Sequence, residues 1–461
     1  MRSNACLGLV MLLSALVLSG CVLAPKGAPS EQQRIEQAGR PFEPEINQRS
    51  LAEIPSPATW RDVLQRALLA NGELEAAYFQ WKGAMAQIPQ VASWPNSNLS
   101  PSFSYLFSGG NMKAWDRTTL GLQFDPSENL ELPVKTSKRG EIAFANARAA
   151  GAKFRETKFR IQRQVLDEYI DLTLMEQRIH VQQDNVALLK LLASTAADRV
   201  QAGANQQDLL RAQTQYRLGE NELANMETEH HGMLARLNGM MARQPLAPLG
   251  LPPGLPPPRA LAVDDARLIA AATAANPELE KLAHEVEGRN DAIELARMAY
   301  LPDINPTASF TGSLSQSLGA MVMLPTNVPR IRGMIDEARA NFRGSQAMLR
   351  QTRSDRASAF VAALVALRNS ERQTRVFEET ILPRAEQTLA SSRQAYTTAT
   401  GTFIELIDAQ RTLLDVRLLI LEARAEREKR LAELEELAGV DIETLAGPTS
   451  APTTRMETTK P

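Results

Sequence analysis

Apolar residues fall on a strict heptad through the middle of the first half of the chain. Val165, Leu172, Ile179, Val186, Ala193 and Val200 succeed one another without a break. This is the spacing of a helix that buries one seam against its neighbours. No proline lies between Lys135 and Gln244. The pattern therefore predicts one helical arm from about Lys138 to Ala202, roughly 95 Å long at about 1.5 Å per residue. A return arm follows through Leu209, Tyr216 and Leu223 to about Met241. Ordinary globular helices are far shorter.

Two small-residue interruptions mark where such arms turn. The segment Tyr396–Leu414 (YTTATGTFIELIDAQRTLL) places Gly401 between two apolar-periodic stretches, and Arg199–Gln213 (RVQAGANQQDLLRAQ) does the same with Gly203. Glycine and small residues let a backbone turn where a long helix must stop. Aligned on Ala212-Gln213 and Ala409-Gln410, the two segments match without a gap, which makes the chain a duplication.

Shorter stretches alternate instead. Phe103, Tyr105 and Phe107 share one face, with Ser102, Ser104 and Leu106 on the other. After a polar turn at Ser108–Asp116, Leu120, Leu122 and Phe124 alternate with Thr119, Gly121 and Gln123. Period-two alternation predicts strands with one apolar and one polar face, at the length of tilted membrane-barrel strands. The second half repeats the motif as Ala308, Phe310, Gly312 and Leu314, then Leu318, Ala320, Val322 and Leu324.

Taken in order, the chain divides as follows. Residues 1–20 form a signal peptide, 21–57 a polar, proline-dotted tether expected to be extended, and 58–243 the first repeat of helix, two strands and long hairpin. Residues 244–262 form a stiff linker containing Pro245, Pro248, Pro252, Pro253, Pro256, Pro257 and Pro258. The second repeat covers 263–440, with its tip near 399–402, and a Thr/Pro-rich tail expected to be disordered covers 441–461.

The N-terminus changes the picture. Arg2, an apolar run from Leu7 to Leu18, and Ser19-Gly20-Cys21 compose an export signal rather than a spanning helix. Removal of that signal takes Cys6 with it and leaves Cys21 alone, unable to form an internal disulfide. Leu18-Ser19-Gly20-Cys21 resembles a bacterial lipobox, which implies cleavage before Cys21 and acylation of its thiol; Val22 after it is consistent with sorting to the outer membrane. Beyond this point no run approaches the roughly 18 apolar residues a spanning helix needs.

Composition narrows the function classes further. A hydrophobic content of 44% suffices for a large core, while a net charge of −2 and only 5% aromatics give no field or stacking surface for nucleic acid. No nucleophile–base pair, phosphate loop or metal spacing stands out, so neither an enzyme nor a cofactor is expected beyond the lipid on Cys21. Adjacent His230 and His231 diverge on a helix and cannot chelate together.

Four strands cannot close a barrel, and open edges in lipid would strand backbone groups, so several copies must pool their strands. The duplicated helix–strand–strand–helix order, the lipobox and the tip segment Ile404–Leu413 together resemble the TolC-like outer-membrane efflux channels, in their lipoprotein branch. The resemblance spans about Pro57 to Val440. It implies a mainly α fold with a membrane β-barrel portion: a homotrimer in which four strands per chain complete a 12-stranded barrel and the hairpins form a periplasmic α-helical barrel. It also implies a periplasmic adaptor and an inner-membrane pump as partners. By position in the family pattern, Tyr396, Glu405 and Asp408 would line an acidic, cation-selective entrance gate, and Asp208 is a further ring candidate. Arg211, which aligns with Asp408 in the repeat, would latch neighbouring hairpins. Gly203, Ala399 and Gly401 would receive the adaptor's tips, although the family's glycine at the second tip is Ala399 here. The competing readings are a periplasmic adaptor, which has a single hairpin, and a structural coiled-coil lipoprotein, which has no need of alternating strands.

Overall fold

The computed structural model describes residues 23–442 apart from 94–98, 109, 111, 125–131, 202, 204, 260–264, 267, 270–274, 312–314 and 399. Cys21, the signal peptide and Ala399 therefore lie outside the described residues. Thirteen segments carry the argument. Helices α1 (Ala28–Gly39), α2 (Trp60–Ala70) and α3 (Gly72–Val91) precede strands β1 (Leu99–Tyr105) and β2 (Thr118–Phe124). The long α4 (Pro133–Gln201) and α5 (Gln206–Met240) complete the first half. The second half contains α6 (Pro277–Arg297), β3 (Asp303–Thr311), β4 (Ser315–Met323), α7 (Val328–Val376), α8 (Leu382–Thr397) and α9 (Phe403–Ala438). No described helix is long and apolar enough to cross a membrane.

The described residues fall into two compact units, each taking segments from both halves of the chain: one within 1–40, 77–154 and 278–352, the other within 41–76, 155–277 and 353–461. The first unit contains a four-stranded antiparallel sheet in the order β1-β2-β3-β4. The central pairing joins the two halves of the chain, with Thr119 opposite Thr311 and Leu120 opposite Phe310; the Thr119 and Thr311 hydroxyls lie 3.0 Å apart. Gly121 leaves room for Ser102 opposite it: a Cβ there would stand 2.2 Å from Ser102 Oγ and force that hydroxyl to rotate away. The prolines fall where a strand has a side free of the ladder: Pro101 in edge strand β1, and Pro306 beyond the last β2–β3 pair.

Beneath the sheet, α4 is fastened to the second repeat by lysines. Lys135, buried, donates to Asp303 Oδ1 at 2.7 Å and to the Leu301 carbonyl at 2.9 Å. Lys138 pairs with Glu141, with Asp291 at 3.2 Å and with Glu294 at 2.7 Å. Burial works against its charge, but the three carboxylates outweigh that and hold the ammonium well above its usual range.

The second unit is built on helix seams. Val165 and Leu172 of the predicted heptad are buried, but Ile179, Val186, Ala193 and Val200 are only half-buried in the single chain. Toward the tip the buried line instead runs Gln182, Asn185, Leu189, Leu192, Ala196, one face over. A polar chain crosses this core: Gln410 Nε2 donates to Asn185 Oδ1 at 3.0 Å, Asn185 to Gln182 Oε1 at 3.3 Å, and Gln182 Nε2 to the Gly219 carbonyl at 2.9 Å. The proline linker is anchored by Arg259, which pairs with the buried Glu428 and Glu435 of α9 at 3.1 and 2.9 Å and lies over the Trp60 ring.

Several expectations are corrected. The stretch 21–57 is not wholly extended: α1 forms within it, started by Pro29 in its first turn, and its Ile35 is 1% exposed. The long arm begins at Pro133 rather than Lys138, because proline suits a first helical turn. β1 ends at Tyr105, leaving Phe107 outside the ladder, and the turn before β2 contains a 3-10 segment at Ala114–Arg117. β3 runs over 303–311 and β4 over 315–323, both N-terminal of the expected alternation. The return to the second tip is interrupted by a π-helical turn at Phe377–Ile381, just before Pro383. A proline removes one backbone donor and crowds the preceding turn, which the wider turn accommodates.

Candidate functional site

The candidate site is the paired hairpin tip of the second unit, the place where the family resemblance implies an entrance. At the first tip Gly203 takes φ +96°, a conformation that only glycine adopts freely. Asn205 then caps α5 by accepting from the Gln207 amide at 2.9 Å. At the second tip the amides of Thr400 and Gly401 both donate to the Ala395 carbonyl, at 2.9 and 3.0 Å. A Cβ on Gly401 would lie 2.9 Å from Ala395 Cβ, so the closeness of this turn depends on glycine.

Helix α9 restarts with a capping box. Thr402 Oγ1 accepts from the Glu405 amide at 3.3 Å, and Glu405 Oε2 accepts from the Thr402 amide at 2.9 Å. Glu405 therefore has a structural task at the helix start, while still exposed. Three residues on, Asp408 is exposed, and its carboxylate takes part in no ion pair among the described residues. The geometry thus divides the two acids: one is held by the backbone and the other has no ion-pair partner among the described residues.

Tyr396 is 2% exposed, edge-on to Phe403 at 5.6 Å. Arg199, from the end of α4, sits 4.3 Å from the Tyr396 ring centre and donates to the Tyr396 carbonyl at 3.0 Å. The two tips are thereby locked together over a core of Leu189, Leu192, Ala212, Phe403 and Leu406. Sequence reasoning missed Arg199; its only signal was its position at the end of the predicted arm. Asp208 is half-buried and Arg211 exposed, and no ion pair among the described residues joins Arg211 to Asp408 within the chain. The bond that does cross from α9 to α5 is Arg411 to Gln215 Oε1 at 2.8 Å.

The first unit supplies a second candidate surface. Its sheet exposes large apolar groups, Phe103 at 69% and Val322 at 50%, and Phe107 just beyond β1 is 88% exposed. Its outer strands, β1 and β4, each have a neighbour on one side only.

Comparison with known proteins agrees with this geometry. Residues 268–440 match the family model described as outer membrane efflux protein. No curated protein matches. Among solved structures, the outer membrane protein VceC from Vibrio cholerae is similar with a TM-score of 0.69 at 14% identity, over 83% of this chain and 96% of that one. CusC, described in connection with transmembrane channel formation, gives 0.69 at 18% identity over 85% and 96%. The CmeC outer membrane channel of Campylobacter jejuni gives 0.68 at 13% identity over 86% and 91%. Residues 268–440 thus resemble the outer membrane efflux proteins, and the chain as a whole has the fold of these outer-membrane channels.

Proposed function

We propose that this protein is the outer-membrane conduit of a tripartite export system, a homotrimer that receives substrates from a periplasmic adaptor and an inner-membrane pump. The observation that carries the reading is the single sheet spanning both repeats, with two outer edges and apolar side chains on view. Unpaired backbone in hydrocarbon costs several kcal/mol per group, and closed barrels need at least about eight strands. Three copies supply about 12 strands, edge to edge, and close the barrel. The half-buried heptad line of α4 then finds its cover in the neighbouring hairpins of a periplasmic α-helical tunnel.

At the periplasmic end, the Asp408 and Glu405 carboxylates form an acidic entrance once three copies meet, drawing in cations. Tyr396, Asp208 and Arg211 border it, Arg211 reaching toward an acid on the neighbouring hairpin, and Gly203, Ala399 and Gly401 at the tips accept the adaptor. Cys21 bears the lipid. Its position is supported by Leu23, whose amide donates to the Ala92 carbonyl at 3.1 Å and whose own carbonyl lies 3.5 Å from a Cβ built on Gly140. The chain is therefore tied down two residues after the acylated thiol.

Single-channel conductance in planar bilayers tests the reading, with the full-length protein beside a Glu405→Gln/Asp408→Asn variant. Glutamine keeps the capping box while removing the charge. The expected result is a small cation-selective conductance whose selectivity falls in the variant. An unchanged variant would remove these acids from the gate and leave the channel standing. A folded oligomer that conducts in neither form would end the channel reading.

A further inference from the structure

Within the first unit, a cleft of about 710 Å³ opens where β3 and β4 meet the ends of α4, α6 and α7. Its inner wall is apolar, formed by Leu295 and Ala296 of α6 and by Ile331 and Met334 of α7. Met323 and Leu324, where β4 ends, stand at its mouth, and Leu324 is 66% exposed. Around this apolar wall lie four cationic side chains, Lys135, Arg139, Arg289 and Arg330, against two carboxylates, Asp303 and Glu337. Asp303 is already taken by Lys135 at 2.7 Å. Arg289 and Arg330 share the lining with Glu337. The guanidinium groups of Arg289 and Arg330 make no ion pair among the described residues; the Arg330 backbone amide donates to Asn327 Oδ1 at 3.2 Å.

We propose that this cleft binds a membrane glycerophospholipid, with its phosphodiester held by Arg289 and Arg330 and an acyl chain lying along Met323 and Leu324. An apolar wall beside a cluster of guanidinium groups fits an anionic amphiphile. The planar guanidinium fork matches phosphate oxygens in pairs, which a point charge does not. The cleft volume lies in the range of small-molecule sites. Placement gives the second argument. The inference rests on the reading that the sheet spans the outer membrane, which puts the ends of β3 and β4 at the periplasmic headgroup level. A second marker lies at the same height: the Leu23 backbone, two residues past Cys21, bonds to the Ala92 carbonyl and its own carbonyl lies near Gly140, the neighbour of Arg139. If Cys21 carries a lipid, that lipid and the cleft would meet the same leaflet. The lipid would brace the junction where each strand pair becomes a helix.

Phosphatidylglycerol titrated onto the full-length protein in neutral detergent, read by native mass spectrometry, tests the proposal. Arg289 and Arg330 are both exposed, so Arg289→Ala/Arg330→Ala should fold. The expected result is lipid retained on the wild-type oligomer and a half-saturating concentration raised about tenfold or more in the variant, the scale of a lost charge-assisted bond. Inorganic phosphate, which has no acyl chain, should compete poorly. Equal lipid binding by both proteins overturns the proposal. Displacement by inorganic phosphate as readily as by lipid would make the cleft a site for free anions. A variant that loses its oligomer while keeping its lipid would show that a second copy of the chain fills the cleft. Liposome insertion of the wild type is measured in parallel. Insertion with unaltered lipid binding rejects the cleft alone, whereas failure to insert rejects the membrane reading beneath it.

Discussion

At the scale of single residues, the tips show how one side chain type can serve two ends. Glu405 and Asp408 look alike in the sequence, three apart on a helix start, yet the capping box engages Glu405 and leaves Asp408 unpaired. Elsewhere in the second unit, Asp167 is the clearest case of environment acting on an acid. Burial pushes its carboxyl up to about 6, against the pull of Arg163 and Lys429 and with the help of Asp171. One of its oxygens has no hydrogen-bond partner. The native state therefore binds this proton more tightly than the unfolded chain, whose carboxyl titrates near 3.8. Between those values the native state carries the extra proton, so stability falls as pH rises through the window and the full penalty stands above it. Asp167→Asn should raise the melting temperature by a few degrees at pH 7.5 and by much less at pH 4.5. Arg163 keeps Glu436 at 2.8 Å and Glu433 at 3.8 Å in the variant. Thermal denaturation of both proteins at the two pH values checks this, and an equal shift at each pH would show that the ionisation of Asp167 costs nothing.

At the scale of elements, the helices differ in how they keep their apolar face in phase. Over the first arm the buried line simply drifts, from Val165 and Leu172 to Leu189, Leu192 and Ala196. The second arm uses the π turn at Phe377–Ile381. Phe377 and Ile381 at its two ends, and Ala385 and Leu389 after it, all pack on the same stripe of α9 formed by Leu413, Val416 and Ile420. A π turn absorbs one extra residue without rotating the flanking helix. Deleting exposed Glu379 together with Pro383→Ala should therefore yield an uninterrupted α-helix with its packing intact and a melting temperature at or above that of the parent. A one-residue deletion inside α8, which has no such turn, should rotate the tip by about 100° and melt well below it. Circular dichroism at 222 nm with thermal melts separates the two outcomes, and equal damage from both deletions would contradict the phase argument.

At the scale of the whole molecule, membrane attachment has two proposed sources, the acyl group on Cys21 and the pooled sheets. They differ in strength, since a single acyl chain anchors only marginally whereas a spanning element is effectively irreversible. Cys21→Ser should abolish labelling by radioactive palmitate yet leave the protein in the outer-membrane fraction and resistant to alkaline carbonate. Release of the serine variant by carbonate would mean that lipid, rather than strand insertion, holds the protein in place.

Much of this architecture is written in local periodicity. Heptads, alternation, the small-residue tips and the repeat depend on neighbours along the chain, so α4, α5, α9 and the four strands could be located before any packing was known. The capping box at Thr402–Glu405 has a local signature of the same kind. The pairing of β2 with β3, which makes one sheet of two repeats, depends on contacts between residues far apart in sequence. So does the burial of Gln182, Asn185 and Gln410, polar residues that a hydrophobic pattern assigns to the surface and that only a partner across the core can satisfy. Arg199 on Tyr396, Arg259 on Glu428 and Glu435, and the cleft below the sheet belong with them. Period and propensity act within a few residues and decide which elements form; side-chain pairing across the fold decides which of their faces are covered and which are left for the membrane, a ligand or another copy.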